Sequence, residues 1–227
     1  MKITKTLVTC AFFSLIVSIL LTVIGFWSFY MPFYESEYSQ NNTVQATGMK
    51  HDDLIKTTEV LFDYLKDNRD DLIVRVSVHG YVREVFDTRE KLHMKDVKKL
   101  YLNAMSVRNY LSIIAVVLII AAYIIQKHGY RKILLNGYGT ALIIFGVFIL
   151  AILFYAMLDF SSFWINFHEV FFDNDLYLLD PNTEILINMV PERFFFDLVM
   201  RIVSSFAALC AFLYIVLKVF AGRKADV

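Results

Sequence analysis

Four long apolar runs decide what this chain can fold into. They cover Leu7 to Tyr30, Tyr110 to Gln126, Gly139 to Leu158 and, roughly, Leu198 to Phe220. A helix rises ~1.5 Å per residue, so about 20 apolar residues cross the ~30 Å hydrocarbon layer of a bilayer. Inside that layer every backbone polar group needs a partner, and a helix supplies one within itself. The second run is near the lower length limit but carries no charge. The fourth holds Arg201 near its start, which can snorkel to the interface or face a polar site between helices. The first run is too long for the h-region of a cleaved signal peptide and is expected to stay as a membrane helix. With 58% hydrophobic residues the whole chain fits an integral membrane protein.

Charge orients the runs. Lys2 and Lys5 precede the first; Lys127, Arg131 and Lys132 fill the short connection between the second and third; Lys218, Arg223 and Lys224 close the fourth. The stretch between the third and fourth is acidic instead, with Asp159, Glu169, Asp173, Asp175, Asp180, Glu184 and Glu192. The positive-inside rule then puts both termini in the cytoplasm. The expected fold class is an α-helical polytopic membrane protein, four transmembrane helices with an extracellular mixed α/β cap. Its expected parts are 1–30, a first transmembrane helix; 31–109, an extracellular cap ending in a helix continuous with span two; 110–158, spans two and three with a short cytoplasmic loop; 159–197, an extracellular aromatic interfacial loop; and 198–227, the fourth span and a cytoplasmic tail. A net charge of zero leaves no basic footprint for nucleic acid. The two cysteines, Cys10 and Cys210, both fall inside spans and read as packing residues, not as a disulfide or metal cluster.

Within the cap, residues 31–49 read as a polar and aromatic loop marked by Asn41, Asn42 and Gly48. A helix is expected over about 52–67, with Leu54, Leu61 and Leu65 on one face beside Ile55 and Phe62. Leu72, Val74, Val76 and Val78 alternate as in a strand that breaks at Gly80, and Tyr81 to Phe86 return as a second. Asp87-Thr88 offers an N-cap, and from Arg89 a helical pattern runs into span two. His93 shares a face with Val97, Leu100, Tyr101 and Ala104, so it is expected to point inward. In the acidic loop, Ser161 or Ser162 can cap a short helix with Trp164, His168, Phe171 and Phe172 on one face, lying in the interface plane. Leu186, Ile187 and Met189 are expected to dip toward lipid, and Pro191 to start the last helix as its first residue.

The chain has no HExxH, GxSxG, P-loop or dinucleotide pattern, which leaves histidines and carboxylates as candidate chemistry. His51, His79 and His128 sit in polar or turn contexts and read as background. His93 and His168 stand in dense blocks that the topology brings to one membrane face. Histidine is the side chain best suited to move protons near neutral pH. The bland alternative is an interface histidine with a polar tip and an apolar body. A metal would need a third ligand, such as Asp96 or Glu169, and two histidines alone do not make a zinc site. Two histidines at a lipid–water boundary suggest chemistry on a membrane-anchored substrate; a non-enzymatic membrane docking or assembly protein and a metal-dependent lipid headgroup hydrolase stay open beside it.

Two blocks carry a resemblance. They are Arg89-Glu90…His93-Met94-x-Asp96-Val97-Lys98 and Phe167-His168-x-x-Phe171-Phe172, extended by Leu186-Ile187 and Pro191-x-x-Phe194-Phe195. With the order and length of the spans they make the chain similar to the lipoprotein intramolecular transacylases of Gram-positive bacteria. That resemblance implies a plasma-membrane enzyme with an extracellular cap, no cofactor and no metal. It implies His93 and His168 as the catalytic pair; the neighbouring carboxylates Glu90, Asp96 and Glu169 are expected beside them as supporting acceptors that orient the rings. It makes Trp164, Phe167, Phe171 and Phe172 the expected lining that excludes water. The substrate would be a bacterial lipoprotein whose N-terminal cysteine bears diacylglycerol on sulfur, held among membrane lipids. The reaction would move the sn-2 acyl chain to the free α-amine and leave the lyso form.

Overall fold

A computed structural model describes residues 2–222, so Arg223 and Lys224 of the expected tail lie outside the described residues. In chain order the elements are α1 (Lys2–Trp27), α2 (Met31–Gln40), α3 (Thr43–Thr47), α4 (His51–Leu65), β1 (Arg75–Val78), β2 (Tyr81–Glu84), α5 (Thr88–Ile125), α6 (Tyr130–Leu158), α7 (Phe160–Phe171), α8 (Ile185–Met189) and α9 (Glu192–Gly222). Four helices, α1, α5, α6 and α9, are long and apolar enough to cross a membrane. The chain divides into two compact units. One gathers the residues up to Gly25, Met105–Leu158 and those from Met200; the other gathers Phe26–Ala104 and Asp159–Val199. α5 has 38 residues and belongs to both. At ~1.5 Å per residue it measures about 57 Å, far more than the hydrocarbon layer needs. Its uncharged stretch begins at Tyr110, so the turns before it stand outside the span.

The first unit is a helical bundle held by close approach and a few polar contacts. Gly137 on α6 has room only for a hydrogen, because a Cβ there would lie 2.4 Å from Val8 on α1. Small residues at such crossings let membrane helices touch along their backbones. Next to it Phe12 meets Tyr138 edge-on at 5.1 Å, and the buried Tyr138 hydroxyl donates to the Cys210 carbonyl at 2.8 Å. Ser18 and Ser112 share a hydrogen bond of 2.6 Å between α1 and α5. Outward faces are apolar: Ile143, Val147, Phe148, Leu150 and Phe154 of α6 are all exposed, as a lipid-facing helix requires. Both cysteines are free.

The second unit packs short helices around a hairpin. Leu72, Val74, Val76 and Val78 are all buried, as their alternation predicts. Only Arg75–Val78 pair antiparallel with Tyr81–Glu84, and the turn between them puts His79 at φ 50° and Gly80 at φ 86°. Two left-handed residues in succession make the turn type that matches strand twist. The His79 N–H donates to the Gly48 carbonyl at 2.8 Å, which accounts for that histidine's place structurally.

Three expectations need correction here. The segment 31–49 is not a loop but holds α2 and α3. Phe33, Tyr34, Glu37 and Tyr38 are buried from α2, so tertiary burial sustains a helix whose polar residues hide its period. Ile185, Leu186 and Met189 are buried and α8 packs against α3, so this stretch turns into its own unit instead of toward lipid. The cap of α7 is Asp159, whose carboxylate accepts the Ser162 N–H at 3.0 Å, and not either serine. α9 starts at Glu192, one residue after Pro191, a difference within the usual spread of helix ends.

Candidate active site

His93 owes its place to the way α5 begins. Asp87 Oδ1 accepts the Glu90 N–H at 2.9 Å while Glu90 Oε2 accepts the Asp87 N–H at 2.7 Å. This reciprocal capping box satisfies orphan N–H groups of the first turn. The other Glu90 oxygen accepts the Leu186 N–H of α8 at 2.6 Å, across 96 residues of chain. Glu90 is almost wholly buried, and burial pushes its carboxyl pKa up. One turn further on, His93 projects into the same unit and is buried.

His168 lies two turns into α7 and is the one residue of that helix that is buried. Its Nδ1 stands 2.7 Å from the Trp164 carbonyl oxygen. A carbonyl only accepts, so Nδ1 carries the proton and, in the neutral ring, Nε2 keeps its lone pair. The two imidazoles have centroids 5.9 Å apart and planes tilted by 33°. Phe172 faces both rings, at 5.6 Å from His93 and 5.7 Å from His168. Trp164 meets His168 edge-on at 4.7 Å and stacks on Phe195 at 4.2 Å, with Phe167 parallel to it at 5.2 Å.

Both rings are held neutral. Burial lowers the His93 pKa to about 4, and the neighbouring His168 and Arg89 lower it while Asp96 opposes. Burial also lowers His168, against the hydrogen bond to Trp164, which raises it. The resting site therefore offers two neutral imidazoles near neutral pH, each able to give or take one proton.

The other expected residues divide. Trp164, Phe167 and Phe172 stand beside the histidines. Phe171 does not: it is 51% exposed and touches Phe167. Helix geometry explains the split, since Phe171 ends α7 while Phe172 leaves it in an extended conformation and turns back. Asp96 accepts from Asn174 at 3.0 Å and acts on His93 through charge. Glu90 serves the backbone of α5 and α8 instead of a ring. Glu169 is exposed, and no hydrogen bond among the described residues joins it to either histidine. Sequence reasoning missed Tyr177, whose ring stacks on His168 at 4.7 Å and 25°. No periodic pattern marks a side chain in an irregular loop; an aromatic between the turn residues Asp175 and Asp180 is the only trace of it.

The model of the lipoprotein intramolecular transacylase family, Lit, matches residues 9–195. The chain belongs to that family. It is a membrane-integral transacylase with four apolar helices. The solved structure of the membrane integral lipoprotein intramolecular transacylase Lit from Bacillus cereus aligns with a TM-score of 0.76 at 23% identity, covering 95% of this chain and 96% of that one. Two variants of the Bacillus cereus protein, with one histidine changed to arginine or to alanine, align with a TM-score of 0.73 at 22% identity; each covers 95% of this chain, and 92% and 94% of its own. These likenesses concern the fold. Comparison with curated proteins gave no match. The metal-hydrolase alternative would need a third donor beside the imidazoles, and among the described residues no group of three His, Cys, Asp or Glu could hold an ion. The transacylase instead presents two neutral rings within aromatic walls.

Proposed function

We propose that His93 and His168 carry an intramolecular acyl transfer from the sn-2 oxygen of an S-diacylglyceryl cysteine to the α-amine of that cysteine. The observation that supports this most is the buried imidazole pair, 5.9 Å apart, with Nδ1 of one ring 2.7 Å from a backbone carbonyl oxygen. An α-amine has an unperturbed pKa of about 7.7–8.0, so much of it arrives protonated. His168 Nε2 takes a proton and frees the nucleophile. Nitrogen attacks the acyl carbon, and the new C–N bond forms as the carbonyl oxygen becomes an oxyanion. A neutral His93 donates an N–H to that oxyanion. His168 releases its first proton to water and, neutral again, takes the extra proton that the new C–N bond leaves on nitrogen. The C–O bond to glycerol then breaks, and the His168 imidazolium protonates the departing oxygen, so one proton net goes to water.

The attack closes a medium-sized ring through sulfur and glycerol, which free chains do reluctantly. Walls that fold the headgroup on itself offset that entropy, by several kcal/mol in well-oriented cases. Trp164, Phe167 and Phe172 exclude the water that would hydrolyse the ester. An ester becomes a more stable amide within one molecule, so no external acyl donor enters. The charge pattern supports a plasma-membrane orientation with both termini cytoplasmic and the cap outside. The partners are then bacterial lipoproteins bearing a diacylglyceryl N-terminal cysteine, together with membrane lipids, and no nucleic acid.

Mass spectrometry of a lipoprotein N-terminal peptide, from cells with and without this protein, tests the reading. It expects one acyl chain to move onto the amine at unchanged total mass. An unchanged peptide beside well-expressed protein would overturn it.

A further inference from the structure

Arg89, His93 and Asp96 follow one another at i, i+4 and i+7 on α5 and so share one face. Both charged ends of that stripe reach the irregular segment 173–180. Arg89 donates to the Asp175 carbonyl, and its guanidinium lies 3.7 Å from the Asp175 carboxylate. Asp96 accepts from the Asn174 amide at 3.0 Å, and Asn174 in turn accepts the Leu176 N–H at 3.1 Å. The far end is tied as well: the buried Glu184 accepts the Asp180 N–H and lies 3.8 Å from Arg89. The segment is therefore clamped on both sides of His93. What it carries between the clamps is Tyr177, laid flat on the His168 ring.

We propose that Tyr177 is a positioning residue for His168, and that Arg89 and Asp96 are the clamp that holds it there. The inference rests on the reading of His168 as a proton-handling group. A single hydrogen bond to the Trp164 carbonyl fixes one nitrogen but leaves the ring free to tilt about it. Trp164 closes one side edge-on, and Tyr177 closes another with its face. Between them the plane is set, and Nε2 is aimed. The strap also couples the two histidines: α5 carries His93 and, through Arg89 and Asp96, sets the neighbour of His168. Misplacement of a reacting group by about 1 Å costs on the order of 100-fold in rate.

The test uses purified full-length protein in detergent with a synthetic diacylglyceryl lipopeptide, and reads kcat, KM and the pH profile. Tyr177→Phe keeps the ring and is expected to stay within about 2-fold of wild type, whereas Tyr177→Leu is expected to lose about 10- to 100-fold in kcat with little change in KM. Water then reaches the imidazole, so the acid limb of the profile moves up toward the ordinary histidine value of 6.5. The titratable group on α5 that faces that ring is His93, and it is unchanged in these variants, as are Arg89 and Asp96, which act on His93. A merely destabilised protein would lose active fraction without moving the midpoint. Asn174→Ala, at an exposed site, loosens the clamp without touching a core and is expected to shift both readouts the same way by less. Wild-type kcat and midpoint in Tyr177→Leu, or equal losses in Tyr177→Phe and Tyr177→Leu, would overturn the positioning role. If Tyr177→Leu does not fold, an Asn174→Ala variant with wild-type kcat and midpoint would do so. His168→Ala is the reference: activity there would sink the proton-handling reading itself, while an inactive His168→Ala beside a wild-type Tyr177→Leu would sink the strap alone.

Discussion

The helices that present the two histidines are built differently, and the proposed division of tasks follows that difference. α5 starts with a capping box whose glutamate also binds α8, so His93 is fixed by its backbone. Its ring makes no hydrogen bond among the described residues and is placed by packing. α7 is a 12-residue helix with one aspartate cap, and its histidine is fixed through the ring, by Nδ1 on the Trp164 carbonyl. A ring with a settled tautomer suits proton transfer in a set direction. A ring free at both nitrogens suits donation to whatever oxygen arrives.

The largest expected effect breaks the pair outright. His168→Ala should lower the rate of lipopeptide isomerisation by about 10³-fold or more, and His93→Ala by about 10²- to 10³-fold, the ranges typical for a general base and an oxyanion donor. Acid should silence both rings. The proposed mechanism needs neutral imidazoles, so a rate–pH profile should fall as pH drops below 6.5, through the lowered values of the two rings. Stability should follow the same sign. Unfolded His93 takes up a proton near 6.5 while the folded ring resists until about 4, so its contribution is full above 6.5 and lost as pH falls to about 4. Thermal unfolding of His93→Phe should show a weaker pH dependence across that window.

Smaller effects sharpen the contrast between the two helix starts. Glu90→Ala orphans the Asp87 and Leu186 N–H groups, one of them buried, and should cost about 2–4 kcal/mol in denaturation. Asp159→Ala removes only the α7 cap and should cost about 1 kcal/mol. Ser18→Ala, between two membrane helices, should cost about 0.6 kcal/mol.

Much of this was legible before any coordinates. Span number follows from length and hydropathy, because lipid forbids the alternatives. The start of α5 was legible because Asp87 and Glu90 are a local signal. The inward turn of His93 was legible because Val97 and Leu100 share its face. α2 escaped because Glu37, although buried, reads as a solvent residue. α8 escaped because its partners are a carboxylate 96 residues away and a helix that the sequence concealed. Phe171, the last residue of α7, points outward, while Phe172, just beyond the helix and extended, turns to the histidines; a wheel drawn through both cannot separate them. Tyr177 had no local rule to announce it: its segment is tied at Asp175 to Arg89 and at Asn174 to Asp96, residues that only tertiary structure joins.

The most direct measurement follows one purified diacylglyceryl lipopeptide by tandem mass spectrometry through incubation with wild type, His93→Ala and His168→Ala, each first checked for folding. Wild type should move one acyl chain from glycerol to the amine at constant mass, and both folded variants should leave the peptide unconverted. Conversion by either variant at a rate near wild type would contradict a two-histidine site.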